Sequence, residues 1–272
     1  MNLRTDIAYE RQETIYKNNV KGVSVKQWTE EETEITLTEI QTDEASRIMG
    51  QPKGKYITLK MPEFSHESEL IDGRLTVLIK TIKSILPKES KRFIVAGLGN
   101  ESITPDALGP LCANKILSTR HFEKMLEDDL SLPKLNPVSS ISTGVLGQTG
   151  IETSEYIKGI VDVVKPDLAI IIDAIATLKS TNLGKTIQIT NTGITPGSGV
   201  GNYRKTIDKS TLNIPVISIG VPTVIRFEED DNLFVTPREI DTIIKRASSL
   251  IAMGVNCAIH PEAEPELFLA LS

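Results

Sequence analysis

Polar and apolar positions alternate in three early stretches, 23–28, 34–40 and 55–61, as in Ile35-Thr-Leu-Thr-Glu-Ile40. Period two predicts an antiparallel strand group with one wet face. Residues 42–49 fit a short helix closed by Gly50-Gln-Pro-Lys-Gly54, whereas residues 1–20 carry little periodicity and predict a mobile arm. Between 65 and 86 the pattern changes to helical spacing through Leu70, Ile71, Leu75, Leu78, Ile79, Ile82 and Leu86, and Pro87 stops it. Phe93 to Ala96 then form a short buried strand. Gly97 and Gly99 allow a tight turn, and Thr104 with Pro105 opens a helix that buries Leu108, Leu111, Cys112, Ile116 and Leu117.

A polar connector over 127–137 leads to Ser142-Thr-Gly-Val-Leu-Gly-Gln-Thr-Gly150 and to a helix from Thr153 with Ile157, Ile160, Val161 and Val164 on one face. Leu168-Ala-Ile-Ile-Ile-Asp173 is the most apolar run. Apolar on both faces, it predicts a central parallel strand ending at Asp173. Strands follow at 185–191 and 215–220, the second ended by Val221-Pro222, with a glycine loop at 195–202 between them. Thr236-Pro-Arg-Glu239 reads as a capping box for an amphipathic helix through Ile240, Ile243, Ile244, Ala247, Leu250 and Ile251, stopped at Gly254. The alternation predicts one three-layer α/β/α domain over 1–272: an arm (1–20), a small antiparallel strand group (21–62) and a core with a mostly parallel sheet (63–272).

Composition narrows the function. The 272 residues are 39% apolar and 24% charged, and no stretch approaches the roughly 18 apolar residues in a row that a membrane span needs. A net charge of −6 and a pI near 5.3 argue against a grip on nucleic acid, which needs a basic face. Two cysteines far apart, Cys112 and Cys257, and the absence of a signal core fit a cytoplasmic setting. The scattered His66, His121 and His260 make no metal signature, and each reads as a surface or helix-end residue. No cofactor is expected: the glycine loops lack the phosphate-loop and dinucleotide patterns.

Two acids remain. Asp106 falls in the first turn of a helix just past one core strand, and Asp173 ends another, so both sit where open α/β sheets build their sites. Each alone reads equally as a helix-start or loop-capping aspartate. Together they form a candidate pair that shares a proton and supplies a base and an acid at once. The N–H groups of Gly144, Gly147 and Gly150, or of Gly197, Ser198 and Gly199, are candidates to hold a substrate backbone or oxyanion. No serine stands in a nucleophile elbow, and Cys112 lies on an apolar helix face.

Several ordered motifs carry a resemblance: Arg4-Thr-Asp-Ile-Ala-Tyr-Glu10, Gly97-Leu-Gly-Asn100, Thr104-Pro-Asp-Ala-Leu-Gly-Pro110, Gly147-Gln-Thr-Gly-Ile-Glu-Thr153, Asp173-Ala174, Pro196-Gly-Ser-Gly-Val-Gly-Asn202, Gly220-Val-Pro-Thr223 and Val235-Thr-Pro237. Together, nearly end to end, they resemble the germination protease family of spore-forming bacteria. The resemblance implies an endopeptidase made as a zymogen in the developing spore, a homotetramer, and degradation of small acid-soluble spore proteins at germination. It implies a fold similar to hydrogenase-maturation endopeptidases without their metal. The family's essential acids match Asp106 and Asp173, and its processing point matches the Asp6–Ile7 bond, so that residues 5–10 would be a substrate held in the chain's own arm. Three departures stand out: a short segment over 224–234, Asn191 where an aspartate is usual, and a short leader before Asp6. They bear on activity more than on fold: the short segment keeps open an inactive binding or assembly relative, and the likeness to the maturation endopeptidases, whose acids read a metal, keeps open a metal-assisted endopeptidase. The oligomer contact is expected on an exposed apolar stripe of the last helix.

Overall fold

A computed structural model of the chain describes residues 5–16, 20–66, 69–122, 133–202, 204–226 and 233–271. Its strands are β1 (Val23–Glu30), β2 (Thr33–Ile40), β3 (Gly54–Lys60), β4 (Phe93–Gly97), β5 (Val138–Ser142), β6 (Leu168–Thr177), β7 (Thr186–Thr190), β8 (Val216–Arg226) and β9 (Phe234–Val235). They form one nine-stranded sheet in the order β1-β2-β3-β7-β8-β6-β4-β5, with β9 beside β8. β5, β4, β6 and β8 run parallel, and β7 joins them antiparallel to both β8 and β3. The early strands are therefore continuous with the main sheet through β3.

The helices are α1 (Ala8–Tyr16), α2 (Asp43–Met49), α3 (Gly73–Ile85), α4 (Leu108–Ala113), α5 (Leu146–Thr149), α6 (Thr153–Val164), α7 (Lys209–Leu212), α8 (Ile240–Ile259) and α9 (Pro265–Ala270). Strand periodicity sorts them into layers. Leu168, Ile170 and Ile172 of β6 pack with Phe93 and Val95 of β4 against α3, α4 and α8. Ala169 and Ile171 pack with Ile94 and Ala96 against Ile157 and Val161 of α6 and Leu212 of α7. This is the α/β architecture that the sequence predicts.

Several elements differ from the sequence reading, each for a local reason. β6 runs four residues past Asp173 because β8 continues beside it after β4 has ended at the Gly97↔Ile172 pair. β8 passes through Pro222, which lies beyond the last β7 pair, Gln188↔Gly220, and beside a register shift at Ile175/Ala176, so the missing N–H breaks no ladder there. The helix beginning at Gly73 is capped by Asp72, whose carboxyl accepts from the N–H groups of Arg74 and Leu75. Thr236 does not cap α8. Its hydroxyl donates to the Thr223 carbonyl at 2.8 Å, and the helix starts at Ile240. Gly254 does not stop α8 either: a Cβ there would lie 2.6 Å from Leu78 Cδ2, so the glycine lets α3 approach. α8 is buried through most of its length, which removes it as an exposed apolar stripe. β5 and α9 were not predicted, and most of the 127–137 connector lies outside the described residues. His66 and His121 are exposed, whereas His260, at the end of α8, is buried and held at about pKa 4 by that burial.

The arm is docked. Ile7, Ala8 and Glu10 are fully buried, and α1 packs on α2, with Ala8 joining Val20, Ile40, Ala45, Met49 and Tyr56 in a small core of their own.

Candidate active site

The parallel strands end at a cleft of about 760 Å³ lined by Asp6, Asp106 and Asp173. Asp106 gets there by backbone contact. Gly97 lies so close to α4 that a Cβ would sit 1.9 Å from the Gly109 carbonyl oxygen, and Gly99, at φ +121°, abuts the Asp106 carbonyl. Asp106 closes a short 3₁₀ turn, Thr104–Asp106, rather than the first turn of the α-helix. Its carboxyl accepts the Asn100 N–H at 2.7 Å.

Asp173 is 6% exposed and lies one residue past the last β4–β6 pair, on the α6 face with Ala169 and Ile171. Burial raises its pKa well above the ordinary 3.8, and the neighbouring charges of Asp106 and then Asp6 raise it further, against the Ala174 N–H. Asp106 is raised too, by burial, with the Asn100 N–H opposing. Asp173 thus senses both other carboxyl groups, and it is held neutral into a pH range where a free aspartate is ionised.

Asp6 is the third member, and it arrives on the arm. Its N–H donates to the Ala176 carbonyl at 3.1 Å, and its carboxyl accepts the Ala176 N–H at 3.0 Å and the Ser198 hydroxyl at 2.5 Å. Burial raises the Asp6 pKa, opposed by Ala176, Ser198, Arg11 and the Gly199 N–H. Gly199 is obligatory in this arrangement, since a Cβ there would lie 2.2 Å from Asp6 Oδ2. The carbonyl of Asp6 accepts from Gln188 Nε2 at 2.7 Å and Gln51 Nε2 at 3.1 Å, and Gln188 Oε1 accepts the Ala8 N–H at 2.8 Å.

Four residues on, Glu10 occupies a second pocket. Its carboxyl accepts from the hydroxyls of Thr177 (2.5 Å) and Thr5, from Asn182 Nδ2 (2.5 Å) and from the Leu178 N–H (2.9 Å). The Tyr9 hydroxyl donates to Asn182 Oδ1 at 2.9 Å, which turns the amide N–H toward Glu10.

The predicted loop residues divide. Ser198, bonded to the Asp6 carboxyl, lines the adjoining pocket, and Gly197 and Gly199 line the cleft. Gly144 and Gly147 form its far wall, tied to the Asp106 turn by the Gln148 amide, which donates to Asn100 Oδ1 at 2.7 Å. Gly150 caps α5 and is exposed away from the cleft lining. Sequence reasoning missed Gln51, Thr177, Asn182 and Gln188. The one signal was Thr186-x-Gln188-x-Thr190, a polar face on a strand whose other face is apolar.

Two acids past the ends of parallel strands, with Asp6 of the arm lining the same cleft, are groups that can supply a base and an acid to one reaction. Comparison with known proteins gives the family. The germination protease family matches residues 3–229, and the chain belongs to it. A germination protease of Clostridium perfringens is 36% identical, covering 96% of both chains. One of Caldanaerobacter subterraneus is 37% identical over 96% of this chain and 95% of that one, and one of Bacillus mycoides 40% identical over 89% and 67%. The C. perfringens alignment spans 313 positions, more than the 272 residues here, so that relative carries internal residues this chain lacks. Among solved structures, a nickel–iron hydrogenase maturation protease of Thermococcus kodakarensis matches with TM-score 0.39 and 21% identity, over 64% of this chain and 98% of that one. Family membership makes the chain a spore-germination endopeptidase.

Proposed function

We propose that Asp106 and Asp173 hydrolyse peptide bonds as a proton-sharing pair, and that the Asp6–Ile7 bond is their first substrate. One carboxylate takes a proton from water as its oxygen attacks the Asp6 carbonyl carbon. The other, protonated, gives its proton to the Ile7 nitrogen as the C–N bond breaks. Burial and the neighbouring charges raise the Asp173 pKa, and burial raises that of Asp106, so the proton is kept at pH values where a free aspartate has lost it. An acid in the Asp6 position adds its own charge to the pair, so a substrate of this type helps to load Asp173.

The single observation that carries the reading is the docked arm: Asp6 lines the cleft that contains both acids and is held through its side chain and N–H, while its carbonyl is held by Gln188 and Gln51 of the adjoining pocket. On this reading the chain is a zymogen that processes itself after Asp6, and its further substrates are small acid-soluble spore proteins cut after an acid. The family's homotetramer in the spore core is expected with it. Incubating the purified chain with such a protein, with and without exhaustive chelation, tests it by fragment masses. Fragments beginning one residue after an acid, unchanged by chelation, are expected; cuts elsewhere, or cutting that stops on chelation, would count against the aspartate pair.

A further inference from the structure

Gln188 and Gln51 hold the one carbonyl whose carbon the proposed reaction attacks. We infer that they are catalytic residues, a side-chain oxyanion site in which Gln188 is the main donor. The inference rests on the reading of the arm as bound substrate. The glycine loop at 197–199, a candidate for this task from the sequence, is engaged instead with the Asp6 side chain.

The sheet supplies the geometry. Asp173 pairs with Gly220 on one side and Gln188 pairs with Gly220 on the other. Paired residues project to the same face, so this row carries an acid and an amide on either side of Gly220, over which the Ile175 side chain packs. Gln188 Nε2 meets the Asp6 carbonyl at 2.7 Å, two strands away from Asp173, and Asp6 itself lines both the pocket of the glutamines and the cleft of the acids. Gln188 is fixed in the productive orientation: its Oε1 accepts the Ala8 N–H at 2.8 Å, so only its N–H group is left for the carbonyl. Gln51 donates from the α2–β3 connection at 3.1 Å, and its own Oε1 is buried without a partner among the described residues.

When water adds, the C=O electron pair moves onto this oxygen, and two oriented N–H donors in a buried setting stabilise it without reorganising. The donors move no proton. Removing one such donor elsewhere costs about 10²–10³ in rate.

Self-cleavage after Asp6 suits the test because it is unimolecular, so substrate affinity does not enter its rate while the arm stays docked. The full-length chain would be made as wild type, Gln188→Met, Gln188→Glu and Gln51→Leu. The rate is followed by intact mass, and docking by hydrogen exchange of the backbone amides from Ile7 to Arg11. Gln188→Met removes the donor without adding charge, and Gln188→Glu keeps the acceptor for Ala8. Both are expected to slow cleavage about 10²–10³-fold, and Gln51→Leu about tenfold, with the amides of Gln188→Glu as protected as in wild type. Wild-type rates in both Gln188 variants would overturn the inference and leave the aspartate pair standing. A slow rate explained by loss of arm protection would make Gln188 a positioning residue only. A wild-type chain that never cuts after Asp6 would instead remove the reading on which the inference rests.

Discussion

Asp173→Asn is expected to lower hydrolysis of a small acid-soluble spore protein about a thousandfold or more, and to raise the stability of the folded chain at neutral pH. The rate effect follows from losing a group that holds or moves a proton at the reacting atoms, typically worth 10²–10⁴. The stability effect has its sign fixed by the raised pKa. Between the ordinary aspartate value of 3.8 and the higher value in the fold, the folded chain binds a proton that the unfolded chain has released. Stability from this group is therefore full at low pH and is lost as pH rises through that window. An asparagine keeps the shape and has no charge to bury, so urea midpoints of wild type should fall more steeply than those of Asp173→Asn as pH rises above the ordinary aspartate value of 3.8. Asp106→Asn should behave alike with a smaller stability gain, since Asp106 is less buried. Parallel curves for wild type and variant would mean that Asp173 is ionised without penalty, and the shared proton would go with it.

The second large effect is steric. Gly199→Ala would place a methyl 2.2 Å from Asp6 Oδ2 and 2.6 Å from Ala176 Cβ, in a loop that has no part in the main core. The fold should survive, while Asp6 can no longer seat its carboxyl between Ser198 and Ala176. Displacement of a reacting bond by about 1 Å costs on the order of 10² in rate, so self-cleavage should fall by that factor. A rate within a few-fold of wild type would show that the Asp6 side chain need not enter its pocket for the bond to be cut.

What the sequence made legible is what burial writes into a pattern. β4 and β6 are apolar on both faces because helices cover both, and that run is visible in Phe93–Ala96 and Leu168–Ile172. β5 escaped notice because it is an edge strand, half-exposed, with only Val138 and Ile141 apolar among its five residues. Gly254 and Pro222 misled for a common reason: each is a stop signal locally, and each is tolerated where the neighbouring element needs no side chain or no N–H. The arm misled most. The acids of residues 5–10 are there because they meet built partners, Asp6 with Ser198 and Ala176 and Glu10 with Thr177 and Asn182. Charge in a stretch without periodicity reads as solvation, and only the partners, some 170 positions away, show otherwise.

The two acids, 67 positions apart, were legible as a helix-start aspartate beyond one strand and a strand-end aspartate on another; their convergence on one cleft with Asp6 is a property of the fold. The glutamine donors carried no comparable mark. A glutamine in a strand is ordinary until a carbonyl is found at its amide.

The most direct measurement is the N-terminal mass of the purified full-length chain after incubation, beside Asp106→Asn and Asp173→Asn prepared in the same way. The expected result is a wild-type product that begins at Ile7, with both variants uncut. A wild-type chain cut at another bond, or either variant cut after Asp6 at the wild-type rate, would contradict the assignment of Asp106 and Asp173 to that bond.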